Sequence, residues 1–173
     1  VRPPWMLERD KGGGMGQMDG THLIDRLLWL LGDDIYSVNG ITSNYTHPEL
    51  SADDTGMHFL RWKSGKAATI TRMGWRHGIT EYGADYYFTN GQAKHRRADS
   101  GKGETGVWIE RDNEWEKIPF AEIDSLQAEF DDFAAAIERG DDDSPIPMRH
   151  GLNVLRIFEA TEASHESGRE GIL

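Results

Sequence analysis

His22 and Asp25 stand three residues apart, and a glycine run, Gly12-Gly13-Gly14 followed by Gly16 and Gly20, leads directly into them. Residues three apart on a helix share a face, so this spacing offers an imidazole and a carboxylate together. Imidazole titrates near neutral pH and exchanges protons with hydroxyl or carbonyl oxygens. A helix N-terminus carries free N–H groups and a partial positive charge, which pushes a histidine in the first turn toward its neutral form. Glycine reaches positive φ and lets the backbone approach a ligand closely; Gly13 and Gly14 are therefore the candidate cofactor contacts. His22 and Asp25 are the candidate catalytic pair, with Asp25 either orienting the imidazole or facing solvent. Asp19 stands near the expected N-cap, where it caps the helix or touches substrate. Trp5, Arg9 and Lys11 immediately precede the glycines and are the other candidate substrate-binding residues. Trp75, Arg76 and His77 end a strand and are candidates to reach the same pocket. The pattern describes one half of an active site.

Other chemistries find little footing. No H-E-x-x-H pattern and no third ligand at telling spacing accompany His22 and Asp25, so no metal is expected. Gly101-Lys102-Gly103-Glu104-Thr105-Gly106 matches the dinucleotide pattern G-x-G-x-x-G letter for letter. That motif needs a buried strand before it and a helix after it. Here a polar stretch precedes it and strand-like Val107-Trp108-Ile109 follows, so it reads as a surface loop. The run at Gly12–Gly16 lacks the Lys-Ser/Thr ending of a phosphate loop, and no G-x-S-x-G elbow occurs. His58, His77, His95, His150 and His165 read as structural or solvated.

The elements that must position this half-site follow from periodicity. Leu23, Ile24, Leu27, Leu28 and Leu31 predict a helix over Thr21–Leu31, stopped by Gly32. Alternation then predicts strands at Ile35–Thr46, Gly56–Lys63, Ala67–Trp75, Glu81–Thr89, Gln92–Arg96, Val107–Arg111 and Trp115–Pro119. Ser64-Gly65, Asn90-Gly91 and Asp112-Asn113 supply the turns. Ile123, Leu126, Phe130, Phe133 and Ile137 mark a second helix with a capping box at Asp124 and Gln127. Asp141–Pro147 is a loop, Met148–Ser167 a third helix, and Gly171–Leu173 a short last strand. One helix, a run of strands and two helices predict an α+β fold: an open, mostly antiparallel sheet with helices packed on one face. The 173 residues read as a single domain.

A net charge of −11 repels phosphate backbones, which argues against a nucleic-acid partner. The absence of cysteine excludes disulfides and thiolate chemistry. No apolar run approaches the roughly 20 residues of a membrane helix, and Val1-Arg2-Pro3-Pro4-Trp5 has no apolar signal core. A cytoplasmic protein with no membrane contact is expected. The chain begins at Val1 rather than Met, as a piece of a longer protein would.

Three stretches carry a resemblance. Gly12-Gly13-Gly14 through His22-Leu23-Ile24-Asp25 is similar to G-G-G-x-x-x-D-x-G-x-H-x-x-D. Phe130-Asp131-Asp132-Phe133 through Ala136-Ile137 and Gly140 is similar to F-x-x-F-x-x-A-I-x-x-G. His150-Gly151-Leu152 through Glu159-Ala160, Ser164 and Gly168 is similar to a closing helix. Together they resemble the C-terminal domain of the Gfo/Idh/MocA oxidoreductases. One departure is visible: the aspartate usual four residues before the histidine falls at Met18, while Asp19 stands beside it. The resemblance implies an open antiparallel sheet flanked by helices, following a Rossmann domain that binds NAD or NADP and carries a Glu-Lys-Pro lysine. Neither that domain nor that motif lies in these residues. It further implies hydride transfer on a sugar, polyol or similar small hydroxyl compound, with His22 at the reacting hydroxyl. It also implies dimers or tetramers built on the sheet face, where Thr69, Thr71, Met73 and Trp75 alternate. A non-catalytic association or ligand-binding module that kept the fold without the chemistry is the alternative.

Overall fold

The computed structural model describes residues 3–74, 80–98, 103–140 and 147–173. Trp75, Arg76 and His77, the first two residues of the 101–106 glycine motif, and residues 141–146 lie outside them. In chain order the elements are α1 (Thr21–Leu31), β1 (Ile35–Ser43), β2 (Thr55–Trp62), β3 (Ala67–Met73), β4 (Glu81–Phe88), β5 (Gly91–Ala98), β6 (Gly106–Arg111), β7 (Glu114–Ile118), α2 (Ser125–Arg139), α3 (Met148–Ser167) and β8 (Gly171–Ile172). Val1–Arg76 with Ala135–Leu173 forms one compact unit, and His77–Ala134 a second. The class is α+β, with every strand pairing antiparallel.

The first unit is built on a sheet ordered β3-β2-β1-β8. Alternation on β2 turns His58, Leu60 and Trp62 inward and leaves Met57, Phe59 and Arg61 more accessible. Ile24, Leu27 and Leu28 of α1, Val38 of β1, Leu60 and Trp62 of β2, and Val154, Ile157 and Phe158 of α3 make the core. α3 packs directly on β1. Gly40 allows this approach: a Cβ there would lie 2.4 Å from the Met57 carbonyl oxygen and 2.5 Å from Thr161 Cγ2. The layer between sheet and helix is partly polar. His58 Nδ1 is 2.9 Å from Thr161 Oγ1, and that hydroxyl donates to the Ile157 carbonyl. Its proton being committed, the hydroxyl accepts from His58 Nδ1–H, which sets the tautomer. Burial lowers the His58 pKa to about 4.

In the second unit the strands follow the order β4-β5-β6-β7. Asp112 and Asn113 both take positive φ, which a two-residue hairpin of this hand requires. Asp85, Lys94, Trp108 and Lys117 stand in one cross-strand row. The Lys94 ammonium sits 4.1 Å from the Trp115 ring centre, and Lys117 sits 5.1 Å from Trp108. Gly106 opens a strand rather than a helix, as the reading of the glycine motif as a loop requires. Asp124 Oδ1 accepts from the Leu126 and Gln127 N–H groups, both at 3.1 Å, and so caps α2. The apolar stripe of this segment is not covered: Ile123, Leu126, Phe130, Phe133 and Ile137 are 62–73% exposed.

Candidate functional site

The glycine run is held far more tightly by the chain itself than its composition suggests. Before α1, Gly16–Gly20 forms a π-turn, and the helical backbone begins at Met15. The free N–H groups of this continuous helix therefore lie at Met15 and Gly16 rather than beside His22. Both are occupied: Met15 N–H donates to the Asp53 carbonyl at 2.9 Å, and Gly16 N–H to Asp53 Oδ2 at 2.6 Å. The glycines are explained by close packing. A Cβ on Gly13 would lie 2.5 Å from the Met6 carbonyl oxygen, one on Gly14 2.1 Å from Asp53 Oδ1, and one on Gly16 2.3 Å from the Phe158 ring. Gly14 also has φ +127, which disfavours any side chain. On the side where a Cβ would stand, Gly13 and Gly14 are thus packed against Met6 and Asp53.

His22 is exposed, on the first turn of α1. Asp25 is half-exposed and is also engaged by a second histidine. Its Oδ1 lies 2.5 Å from His150 Nε2, tying α1 to the first turn of α3. Asp19 makes no cap; its Oδ2 accepts from Arg72 Nη2 of β3 at 2.6 Å. Arg9 is bound to both carboxylate oxygens of Glu162 on α3, donates to Gln17 Oε1 at 2.9 Å, and lies over the Phe158 ring. Lys11 pairs with Glu8 at 2.7 Å, and that bond raises its pKa. Trp5 is exposed in a short helical turn, Pro4–Leu7. Cavities of about 740 Å³ near β4–β6 and about 500 Å³ on the β1–β3 sheet do not include His22. Among the described residues no cluster of three or more His, Asp or Glu could hold a metal.

Asp53, Arg72 and Glu162, which sequence reasoning passed over, organise this region together with His150, which it read as structural or solvated. Each acts across a long sequence separation, 37 residues for Asp53 to Gly16 and 125 for His150 to Asp25, so no local pattern marks them. The amide of Asn44, which opens a glycosylation-like Asn44-Tyr45-Thr46, donates instead to the His47 and Leu50 carbonyls of its own turn.

Two four-stranded antiparallel sheets bracketed by helices define an α+β architecture. Residues 2–172 match the oxidoreductase family's C-terminal alpha/beta domain, and the chain belongs to this Gfo/Idh/MocA family. Among solved structures, it is similar to the aldose-aldose oxidoreductase from Caulobacter crescentus complexed with glycerol, at TM-score 0.79 and 21% identity, covering 100% of this chain and 52% of that one. The oxidoreductase domain protein from Kribbella flavida is similar at TM-score 0.79 and 18% identity, with 97% and 54% covered. The WlbA dehydrogenase from Bordetella pertussis, in complex with NADH and UDP-GlcNAcA, is similar at TM-score 0.67 and 24% identity, with 99% and 49% covered. The chain therefore spans about half the length of these structures. No curated protein matches it. Among the described residues no helix is long and apolar enough to cross a membrane.

Proposed function

We propose that this chain is a single substrate-binding and oligomerisation domain of an NAD(P)-dependent dehydrogenase acting on a sugar, polyol or similar hydroxyl compound in the cytoplasm. NAD or NADP would be held mainly by a separate dinucleotide-binding domain, with Gly13 and Gly14 of this chain at its edge. The nicotinamide supplies hydride acceptance or donation. In the oxidising direction a His22 ring nitrogen would take the proton of the substrate hydroxyl as that carbon becomes a carbonyl. Trp5 and Lys11, on the turns before the glycines, border the substrate, while Arg9 and Asp19 hold the His22 turn through Gln17 and Arg72 and Asp25 holds the His22 helix to α3 through His150. The observation that carries this reading is the exposed imidazole of His22, set directly after a turn pinned at three points. An open half-site of this kind fits an active centre completed by another domain. The exposed Met57 and Met73 on the first sheet support pairing with a second copy.

The test is nicotinamide turnover with candidate polyols by a protein joining this chain to a dinucleotide-binding domain, with and without His22→Ala. Turnover lost in the variant supports the reading. A second reading, the non-catalytic module, is favoured by one observation: Asp19 and Asp25 are committed to Arg72 and His150, and Met18 carries no charge, so none of the three is a carboxylate free to pair with His22. Self-association without turnover of any substrate would support that module.

A further inference from the structure

The turn before His22 is gripped at three points by residues outside it, two of them distant in sequence. Asp53 holds Gly16, Arg9 holds Gln17, and Arg72 holds Asp19. π-turns are rare and recur at functional sites, and pre-organisation is what a reacting group needs from its supports. Of the three anchors, Asp53 alone holds backbone. It takes the first two N–H groups of the helix, one with its carbonyl and one with its carboxylate. Its Oδ1 has no partner among the described residues and lies against Gly14.

We propose that Asp53 is the positioning residue of the His22 site, a cap supplied from the start of the β2 segment that fixes where the His22 helix begins and hence where its imidazole points. The inference rests on the reading of His22 as the proton-transfer group. The charges facing Asp53 are Arg9, from the turn before the glycines, and Glu162, from α3. Burial pushes the Asp53 carboxyl above the ordinary carboxylate range, Glu162 adds to that, and the Gly16 N–H and Arg9 oppose it. A carboxylate kept partly buried against this cost, at the mouth of a glycine turn, is a group held for its geometry.

NMR on this chain tests the inference with Asp53→Ala and Asp53→Asn. In Asp53→Ala the Gly16 amide, which loses its carboxylate acceptor, exchanges about tenfold faster, while Met15 keeps the Asp53 backbone carbonyl. The ring resonances of His22 move, while those of His95 in the second unit stay fixed. Asp53→Asn keeps an acceptor for Gly16 and restores both signals. Unchanged His22 resonances in Asp53→Ala, or no restoration by Asn, would overturn the proposal. Should Asp53→Ala fail to fold, acid titration decides: the Gly16 nitrogen shift follows the Asp53 carboxyl in the native chain and is flat in Asp53→Asn. A Gly16 shift indifferent to that titration overturns it too. None of these signals depends on turnover, so an inactive His22 and a misplaced clamp are told apart.

Discussion

Replacing His58 by glutamine should change how the stability of this chain depends on pH. His58 is 3% exposed, between the sheet and α3, and its pKa falls from the usual 6.5 to about 4. Above pH 6.5 the ring is neutral in both folded and unfolded chains. As pH falls below that, the unfolded chain takes up a proton that the folded chain refuses until about pH 4, so stability is lost across this window. At about 1.4 kcal/mol per pH unit, a gap from 6.5 to about 4 amounts to roughly 3 kcal/mol. That is a large part of the 5–15 kcal/mol typical of a domain. His58→Gln removes the titration while keeping a polar side chain opposite Thr161. At pH 7 the variant should be less stable by about 1–2 kcal/mol, through the altered hydrogen bond and packing. On going to pH 4 the native chain should lose roughly 3 kcal/mol more than the variant does, closing or reversing the difference. Urea unfolding followed by circular dichroism at pH 7, 6, 5 and 4 measures this, and subtraction cancels other groups such as Asp53. Parallel profiles for the two proteins, or a His58 ring titrating near 6.5, would refute the burial argument.

Gly40→Ala should cost about 2–3 kcal/mol, because its Cβ meets the Met57 carbonyl oxygen at 2.4 Å and backbone cannot yield cheaply; a fall in melting temperature checks it. Asp25→Asn and His150→Gln should each cost about 1 kcal/mol, the half-exposed Asp25 limiting the effect. A double-mutant cycle should return a positive coupling energy, and additive costs would mean the pair contributes nothing. Asp124→Ala should lower stability by about 1 kcal/mol through lost capping, read as faster exchange of the Leu126 and Gln127 amides.

Much of this fold is legible because it is local. The end of α1 follows from apolar spacing and Gly32, the span of α3 from its apolar residues, and the hairpins from Asn90-Gly91 and Asp112-Asn113. The division of the strands into two four-stranded sheets was not legible, since turns name a strand's neighbour but not where a run of strands breaks. The pairing of β8 with β1 joins residues at opposite ends of the chain and leaves no periodic trace. At the site, His22 and the glycines stand out by type, but the purpose of the glycines does not. Composition suggests close approach of a ligand, and the packing of Met6, Asp53 and Phe158 against these glycines is a further reason for them that only the folded chain displays. A π-turn has no sequence period to betray it. The commitment of Asp25 to His150 rests on a contact between helices that only the packed sheet brings together.

The most direct measurement is the pH–rate profile of nicotinamide turnover by a protein that joins this chain to a dinucleotide-binding domain, for native sequence and His22→Gln. Proton transfer through His22 predicts an ionisation limb in kcat/KM that vanishes in the variant, with a rate loss of about 10²–10⁴-fold. A variant that keeps both the rate and the limb would contradict the account.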